Sequence, residues 1–356
     1  MSHKAYISLV IGAAFSCLGL YLAFRNVPAV SLIEYVTQIN FGWAIPAAIC
    51  LGIAYLVRSF RWQWLLMPAG PVRLASAYHS LIISMMMNCL LPGRVGELIR
   101  PVVLKRLEGL PYISTLATLG VERLLDLASL LILLLPTLIL LGPESNTVVA
   151  FGHYQLSRDL LINLSAFSLL SAFILLLFIY FLGNDRCRSI VKACLLHLPS
   201  LANWFGLNKL NEPLQRGSWY LSEALERGAR GVQAIKHAKG FLTAMVTSLI
   251  FWSFNALSFY FLSLGSPGID LSPVDICGVM VVICFFIALP SVPGFWGLWE
   301  AAGVFALSFF GITEDAAAGF SLFSHAFNIF PVIIAGWISS LVLGFHWKTL
   351  TKQELI

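Results

Sequence analysis

Between Leu116 and Leu141 the chain runs for 26 residues with only three ionisable side chains, Glu122, Arg123 and Asp126, all near its start. A helix of about 20 apolar residues is what crosses the hydrocarbon core of a bilayer. Tyr6–Phe24, Phe41–Val57, Leu160–Leu182, Phe241–Leu264 and Gly319–Phe345 read the same way. Lipid offers no hydrogen-bond partners, so each of these runs must satisfy its backbone internally, and the chain is confined to bundled helices. Composition agrees: 59% of residues are hydrophobic, 11% are charged and the mean hydropathy is +0.86, outside the range of soluble domains.

The expectation is therefore an all-α polytopic membrane protein forming one transmembrane domain over residues 1–356. A secretory signal competes for the first run, because Lys4 precedes it. The run is longer than a signal's apolar core, and no small-residue cleavage site follows it, which favours a spanning helix. Seven cysteines are scattered singly without a CxxC pair, so neither a disulfide framework nor a metal site is expected. The net charge of +5 reflects topology, since no basic surface with interleaved aromatics suggests nucleic acid.

Leu74–Leu91 and Val274–Pro290 are only about long enough to cross, and each ends at a Pro-Gly break. They are either short crossings, giving eight spans, or the first arms of two re-entrant pairs beside six full spans. Positive charge favours re-entrance, because Lys and Arg collect on the cytoplasmic side. With the N-terminus inside and residues 74–105 and 274–311 each returning to the side they left, 19 of the 22 Lys and Arg are cytoplasmic or enter from there. Eight simple crossings would leave Arg94, Arg100, Lys105 and Arg106 outside. No Lys or Arg occurs in 265–316.

The two breaks resemble each other. LPGRVGE (91–97) and VPGFWGLWE (292–300) both place Pro-Gly three residues before a glycine and then a glutamate. Glu97 to Glu122 and Glu300 to His325 are both 25 residues. This predicts an inverted-topology repeat with halves 41–141 and 240–345, whose broken helices meet near the bilayer midplane. Pro92, Gly93, Gly96, Pro293, Gly294 and Gly297 would be its hinges; the plainer reading is that Pro-Gly pairs mark loops. Irregular backbone and charge persist at membrane depth only beside protein or a water-filled cavity. Arg94 and Arg100 are thus candidates to hold a phosphate or carboxylate, with Glu97 as their counter-charge or as a carboxylate facing headgroups.

Further polar groups fall on helix faces. Glu122 and Asp126 are four apart and Arg123 can reach Asp126, so they either line the same cavity or form a cluster at the membrane surface. Ser321, Ser324, His325 and Asn328 make one stripe, just before a kink at Pro331. His325 is either a cavity group or a hydrogen-bonded structural one. Residues 183–239 read as a cytoplasmic amphipathic segment lying on anionic headgroups, with Trp204 and Trp219 at the interface and Arg227, Arg230 and Lys236 among its basic residues. No Walker loop, GxSxG, HExxH or dinucleotide fingerprint is present, so no cofactor or metal is expected and the chain reads as transporter-like, the alternative being a glycosyl- or acyl-transferase built from intramembrane carboxylates.

The stretch NCLLPGRVGELIRPVVLKRLEGLPYISTLATLGVERLLDLASL, followed by PSVPGFWGLWEAAGVFALSFFGI, resembles the lysylphosphatidylglycerol synthase transmembrane-region family of flippase-like proteins. The resemblance covers nearly the whole chain. It implies a lipid-translocating fold in a bacterial-type cytoplasmic membrane, with both termini cytoplasmic. The family's polar positions fall on Asn88, Arg94, Glu97, Arg100, Glu122, Arg123, Asp126, Pro293, Gly294, Gly297 and Glu300. Adding Asn88, Glu300, His325 and Asn328 to the charged residues above completes the expected headgroup site. The second motif reads Pro-Gly-Phe-Trp-Gly where many members have Pro-Gly-Gly-x-Gly, and position 325 is His where Arg is common. No aminoacyltransferase domain follows Ile356, so lysyl-lipid synthesis is not implied. The function expected is translocation of an anionic lipid or lipid-linked headgroup between leaflets. The alternative is a non-transporting subunit that presents a lipid to a partner glycosyl- or aminoacyltransferase.

Overall fold

A computed structural model describes residues 3–141, 149–151, 154–156, 158–204, 211–235 and 237–344. Thirteen α-helices follow one another among them: α1 (His3–Phe24), α2 (Ala29–Gln38), α3 (Ala44–Leu66), α4 (Leu74–Leu90), α5 (Val95–Glu108), α6 (Tyr112–Leu141), α7 (Arg158–Gly183), α8 (Asp185–Trp204), α9 (Asn211–Val232), α10 (Ala238–Leu264), α11 (Pro273–Phe286), α12 (Leu298–Ser308) and α13 (Glu314–Val342). One departure from the all-α expectation is a small antiparallel hairpin, β1 (Val149–Phe151) with β2 (Tyr154–Leu156), in which Phe151 faces Tyr154.

Among the described residues, four helical stretches are long and apolar enough to cross a membrane: Phe41–Leu66, Tyr112–Leu140, Ala238–Leu264 and Glu314–Val342. The first run does not stand alone as a straight span. Its Gly12–Phe24 portion is followed by α2 at an angle of 76°. The Phe41 run also differs from expectation, because it continues past Val57 to Leu66 and carries Arg58 and Arg61 inside the helix. Phe345, Lys348 and Lys352 lie outside the described residues, as do the side chains of Trp204, Arg227, Arg230 and Lys236.

α3 and α10 form the central antiparallel pair. At one end Asn40 N–H donates to Gly265 O at 2.8 Å; at the other Gly240 packs against Trp64. Two helix hairpins hang from opposite ends of this pair. α4 and α5 return on each other through a 3-10 turn at Pro92–Arg94. Both outer ends of that hairpin lie where α3 finishes, with Gln63 Nε2 donating to Val72 O at 2.8 Å and Arg73 pairing with Glu108 at 3.0 Å. α11 and α12 return through a 3-10 turn at Pro293–Phe295. Their outer ends lie where α10 finishes, Leu271 and Ile312 packing on the same core as Ile269 and Ala316. Local chemistry starts these arms. Ser272 and Asp275 cap α11 reciprocally with Pro273 next to the cap, and Glu300 of α12 accepts from the Gly297 N–H at 2.7 Å.

The arms are short. At 1.5 Å per residue, the 14 residues of α5 or α11 reach about 21 Å and the 11 of α12 about 17 Å, against a hydrocarbon core of about 30 Å. Close packing needs small residues: a Cβ on Gly96 would sit 2.1 Å from Ser84 O of the opposing arm. Each hairpin leans on the long helix of the other half. Gly336 of α13 lies against Met86 of α4, and Gly278 of α11 against Thr137 of α6, whose hydroxyl donates to Val274 O at 2.8 Å. α1 covers the second tip, with Gly19 pressed on Gly297 and Ser16 Oγ accepting from Val292 N–H at 3.1 Å.

Candidate functional site

A buried ionic cluster joins three elements beneath the first tip. On α6, Glu122 and Asp126 project together; on α3, Arg58 and Arg61 at a spacing of three meet them. Arg58 donates to Glu122 Oε1 at 2.7 Å and to Asp126 Oδ2 at 3.4 Å, and Arg61 pairs with Asp126 at 2.8 Å. Arg100 of α5 donates to Glu122 Oε2 at 2.9 Å, and its guanidinium lies 3.6 Å from the centre of the Trp62 ring. Ser248 of α10 accepts from Arg61 at 2.6 Å. Glu122 is 0% exposed, Arg61 1%, Arg100 1% and Asp126 4%. Charges this deep hold only when paired and hydrogen-bonded. Arg58, Arg61 and Arg100 against Glu122 and Asp126 leave one positive charge over.

Above this cluster the two hairpin tips meet. Arg94 and Phe295 occupy the same place in the two Pro-Gly motifs, and both have left-handed backbone, φ 56° and 62°. Among the described residues they are the only non-glycines that do. Such a conformation costs a residue with a Cβ free energy and persists only where the surroundings over-determine it. Arg94 donates to Ile287 O at 2.7 Å, and its guanidinium lies 5.7 Å from the Phe295 ring centre. The two motifs therefore touch through equivalent residues.

This contact divides two hollows. One, about 190 Å³, has Arg58, Arg94, Arg123 and Glu97 among its lining residues, with the amides of Asn88, Asn255 and Asn328. The other, about 250 Å³, lies between Leu91 and the segment Ala288–Val292. Asn88, Arg94 and Phe295 line both. The first hollow carries three guanidinium groups and a single carboxylate, and that carboxylate is matched: Glu97 lies 3.8 Å from Arg123. Counting the cluster behind the wall, five arginines face Glu97, Glu122 and Asp126, a surplus of two positive charges. In a setting of low dielectric this surplus makes the hollow electropositive.

The second tip is held differently. His325 of α13 lies 2.5 Å from Glu300 Oε1 through Nδ1, and 2.8 Å from Gly294 O through Nε2. A carbonyl only accepts, so Nε2 is the donor to Gly294 O. Trp299 stacks on the imidazole at 4.7 Å and Trp296 approaches at 4.5 Å.

The expected site residues thus separate. Asn88, Arg94, Glu97, Arg123 and Asn328 line the hollow. Arg100, expected to grip a headgroup, is instead fixed on Trp62 and Glu122, because its longer reach ends in the carboxylate of α6. Glu97 is the counter-charge of Arg123 rather than of Arg94 or Arg100. Glu122 and Asp126 lie behind the wall, and Glu300 and His325 brace the second tip. The equal 25-residue spacings do not give equal pairs. Glu300 meets His325, whereas the partner of Glu97 is Arg123, one residue beyond Glu122. Arg58 and Arg61 are the residues that sequence reasoning missed. Their signal was a spacing of three, a single helix face pointed at an i, i+4 acidic pair.

The sequence profile of the lysylphosphatidylglycerol synthase TM region matches residues 9–336. The chain belongs to that family. The matched residues take in both hairpins and the ionic cluster. The chain is also similar to glycosyltransferase AglD of Haloferax volcanii, 24% identical over 368 aligned positions, which take in 98% of this chain and 56% of that protein. It thus spans little more than half the length of that relative. No solved structure shows significant similarity.

Proposed function

We propose that this chain is a lipid translocase that takes an anionic headgroup into the hollow between the hairpin tips and passes it between the leaflets of the cytoplasmic membrane. The observation that carries this reading is the surplus of guanidinium charge on that hollow, beside the contact of the two tips through Arg94 and Phe295. Arg94, Arg58 and Arg123 receive the phosphate, and Glu97 releases Arg123 as the anion replaces it. The tails stay in lipid. Arg94 and Phe295 partition the two hollows, and their separation opens the path from one to the other.

The hairpins act as re-entrant pairs of an inverted repeat comprising residues 41–141 and 240–345. Support comes from arms shorter than the bilayer core, attachment at opposite ends of the α3–α10 pair, the shared left-handed residue and the exchanged packing on α13 and α6. In this arrangement six full spans accompany the hairpins, both termini face the cytoplasm, and 183–239 is the cytoplasmic segment. A second reading is favoured by the similarity to a glycosyltransferase: the chain presents a lipid to such an enzyme without moving it.

Native mass spectrometry of co-purifying lipids tests the site. An anionic class enriched with the wild-type protein and lost from an Arg94→Ala, Arg123→Ala variant of normal thermal stability is expected; identical lipid profiles refute it. Reconstitution of the purified protein with that lipid then separates the two readings. Movement between leaflets supports the translocase. Its absence, with a glycosyltransferase that needs this chain to act on the lipid, supports presentation.

A further inference from the structure

We propose that the anionic headgroup is a glycosyl phosphate, a sugar joined to its carrier through phosphate; this rests on the anion-binding reading above. The hollow offers more than cations. Three asparagines reach it from three different helices, Asn88 from α4, Asn255 from α10 and Asn328 from α13. Asn255 Nδ2 donates to Phe251 O at 2.8 Å and Asn328 Nδ2 to Ser324 O at 2.9 Å, each four residues back along its own helix. One N–H of each of these two amides is thus engaged within its own helix, and each keeps its oxygen and its second N–H for the hollow. Asn88 Oδ1 is buried, and no partner for it occurs among the described residues.

Amide oxygens only accept. A bare phosphate gains nothing from three acceptors, and a fatty-acyl glycerol has few hydrogens to donate. Sugar hydroxyls supply donors in quantity. An acceptor buried without a donor costs free energy, so a headgroup that fills these positions is favoured over one that does not. An aminoacyl headgroup fits poorly. Its ammonium would enter a hollow whose guanidinium groups outnumber its single carboxylate, Glu97, three to one. The remaining wall is part aliphatic and part aromatic, with Trp252, Phe259 and Trp299 among its rings. Rings of this kind suit the apolar C–H faces of a pyranose.

Binding of short-chain probes to the purified protein decides the matter: citronellyl phosphate, its glucosyl and mannosyl esters, glucose 1-phosphate, and citronellol as the neutral control. At least one glycosylated ester should bind tenfold or more tightly than citronellyl phosphate. Asn255→Leu with Asn328→Leu should bring that ratio within twofold. Equal affinity for glycosylated and bare phosphates in the wild type overturns the sugar inference and leaves the anionic-lipid reading standing. Failure of every phosphate to bind better than citronellol overturns both. Glucose 1-phosphate binding as tightly as the esters upholds the glycosyl-phosphate chemistry and assigns its source to solution rather than to lipid. Should the double variant not fold, the wild-type ratio still decides.

Discussion

Glu122→Gln removes one charge from the most deeply buried ionic cluster described. Glu122 is 0% exposed and lies 2.7 Å from Arg58, 2.9 Å from Arg100, 3.2 Å from Arg123 and 3.4 Å from Arg61. Three buried guanidinium groups would then face Asp126 alone, and their unmatched charge would rise from one to two. Breaking a buried pair by removing one partner costs about 3–5 kcal/mol, because the other is left charged without compensation. At roughly 2–4 °C per kcal/mol, the midpoint of thermal unfolding should fall by on the order of 10 °C. The assay is thermal denaturation in nanodiscs, read as the loss of the monodisperse species on size exclusion. Arg100→Met added to Glu122→Gln returns the buried surplus to one and should recover much of the loss. A single variant melting within about 2 °C of wild type, the scale of less than 1 kcal/mol, refutes a structural role for the cluster. A double variant as unstable as the sum of its parts refutes the charge count.

Glu97→Gln should leave stability within about 1 kcal/mol, since its pair with Arg123 is long and partly exposed, while changing how the anionic lipid is retained; a large drop in melting temperature contradicts this. Gly96→Ala forces a methyl to 2.1 Å from Ser84 O and should cost about 1–3 kcal/mol or prevent folding. Gly297→Ala should be worse, because its Cβ would lie 2.1 Å from Ser16 O and its φ is 87°. Wild-type yields and melting curves for both would disprove the close crossings. His325→Phe removes the contacts to Glu300 and Gly294, and hydrogen exchange over residues 294–297 should accelerate; unchanged protection means that the tip is held without the imidazole. Arg73→Ala, at a side chain 74% exposed, should shift stability by less than about 1 kcal/mol on the same melting assay.

Membrane helices and the Pro-Gly breaks were legible because lipid leaves few alternatives: length fixes a span, and a break beside charge calls for a protected cavity. Helix ends were less so. Arg58 and Arg61 made Val57 look like the boundary, yet Glu122 and Asp126 neutralise them and the helix continues to Leu66. Pair identities were the least legible part. Spacing put Glu97 and Arg100 on the right hairpin, but the choice among several guanidinium groups depends on distances of a few ångströms that only packing sets. The roles of Asn255 and Trp252 gave no sequence signal, being ordinary residues within an apolar run.

The crossed seating of the hairpins, α4 upon α13 and α11 upon α6, has a temporal side. When α4 and α5 leave the ribosome, the surface that will cover Met86 is some 250 residues from being made, for Gly336 is its seat. Throughout that interval α3 and α6 hold the first hairpin through Gln63 and Glu122, but its Met86 side stays open. Closure of that side therefore waits for the last long helix of the chain.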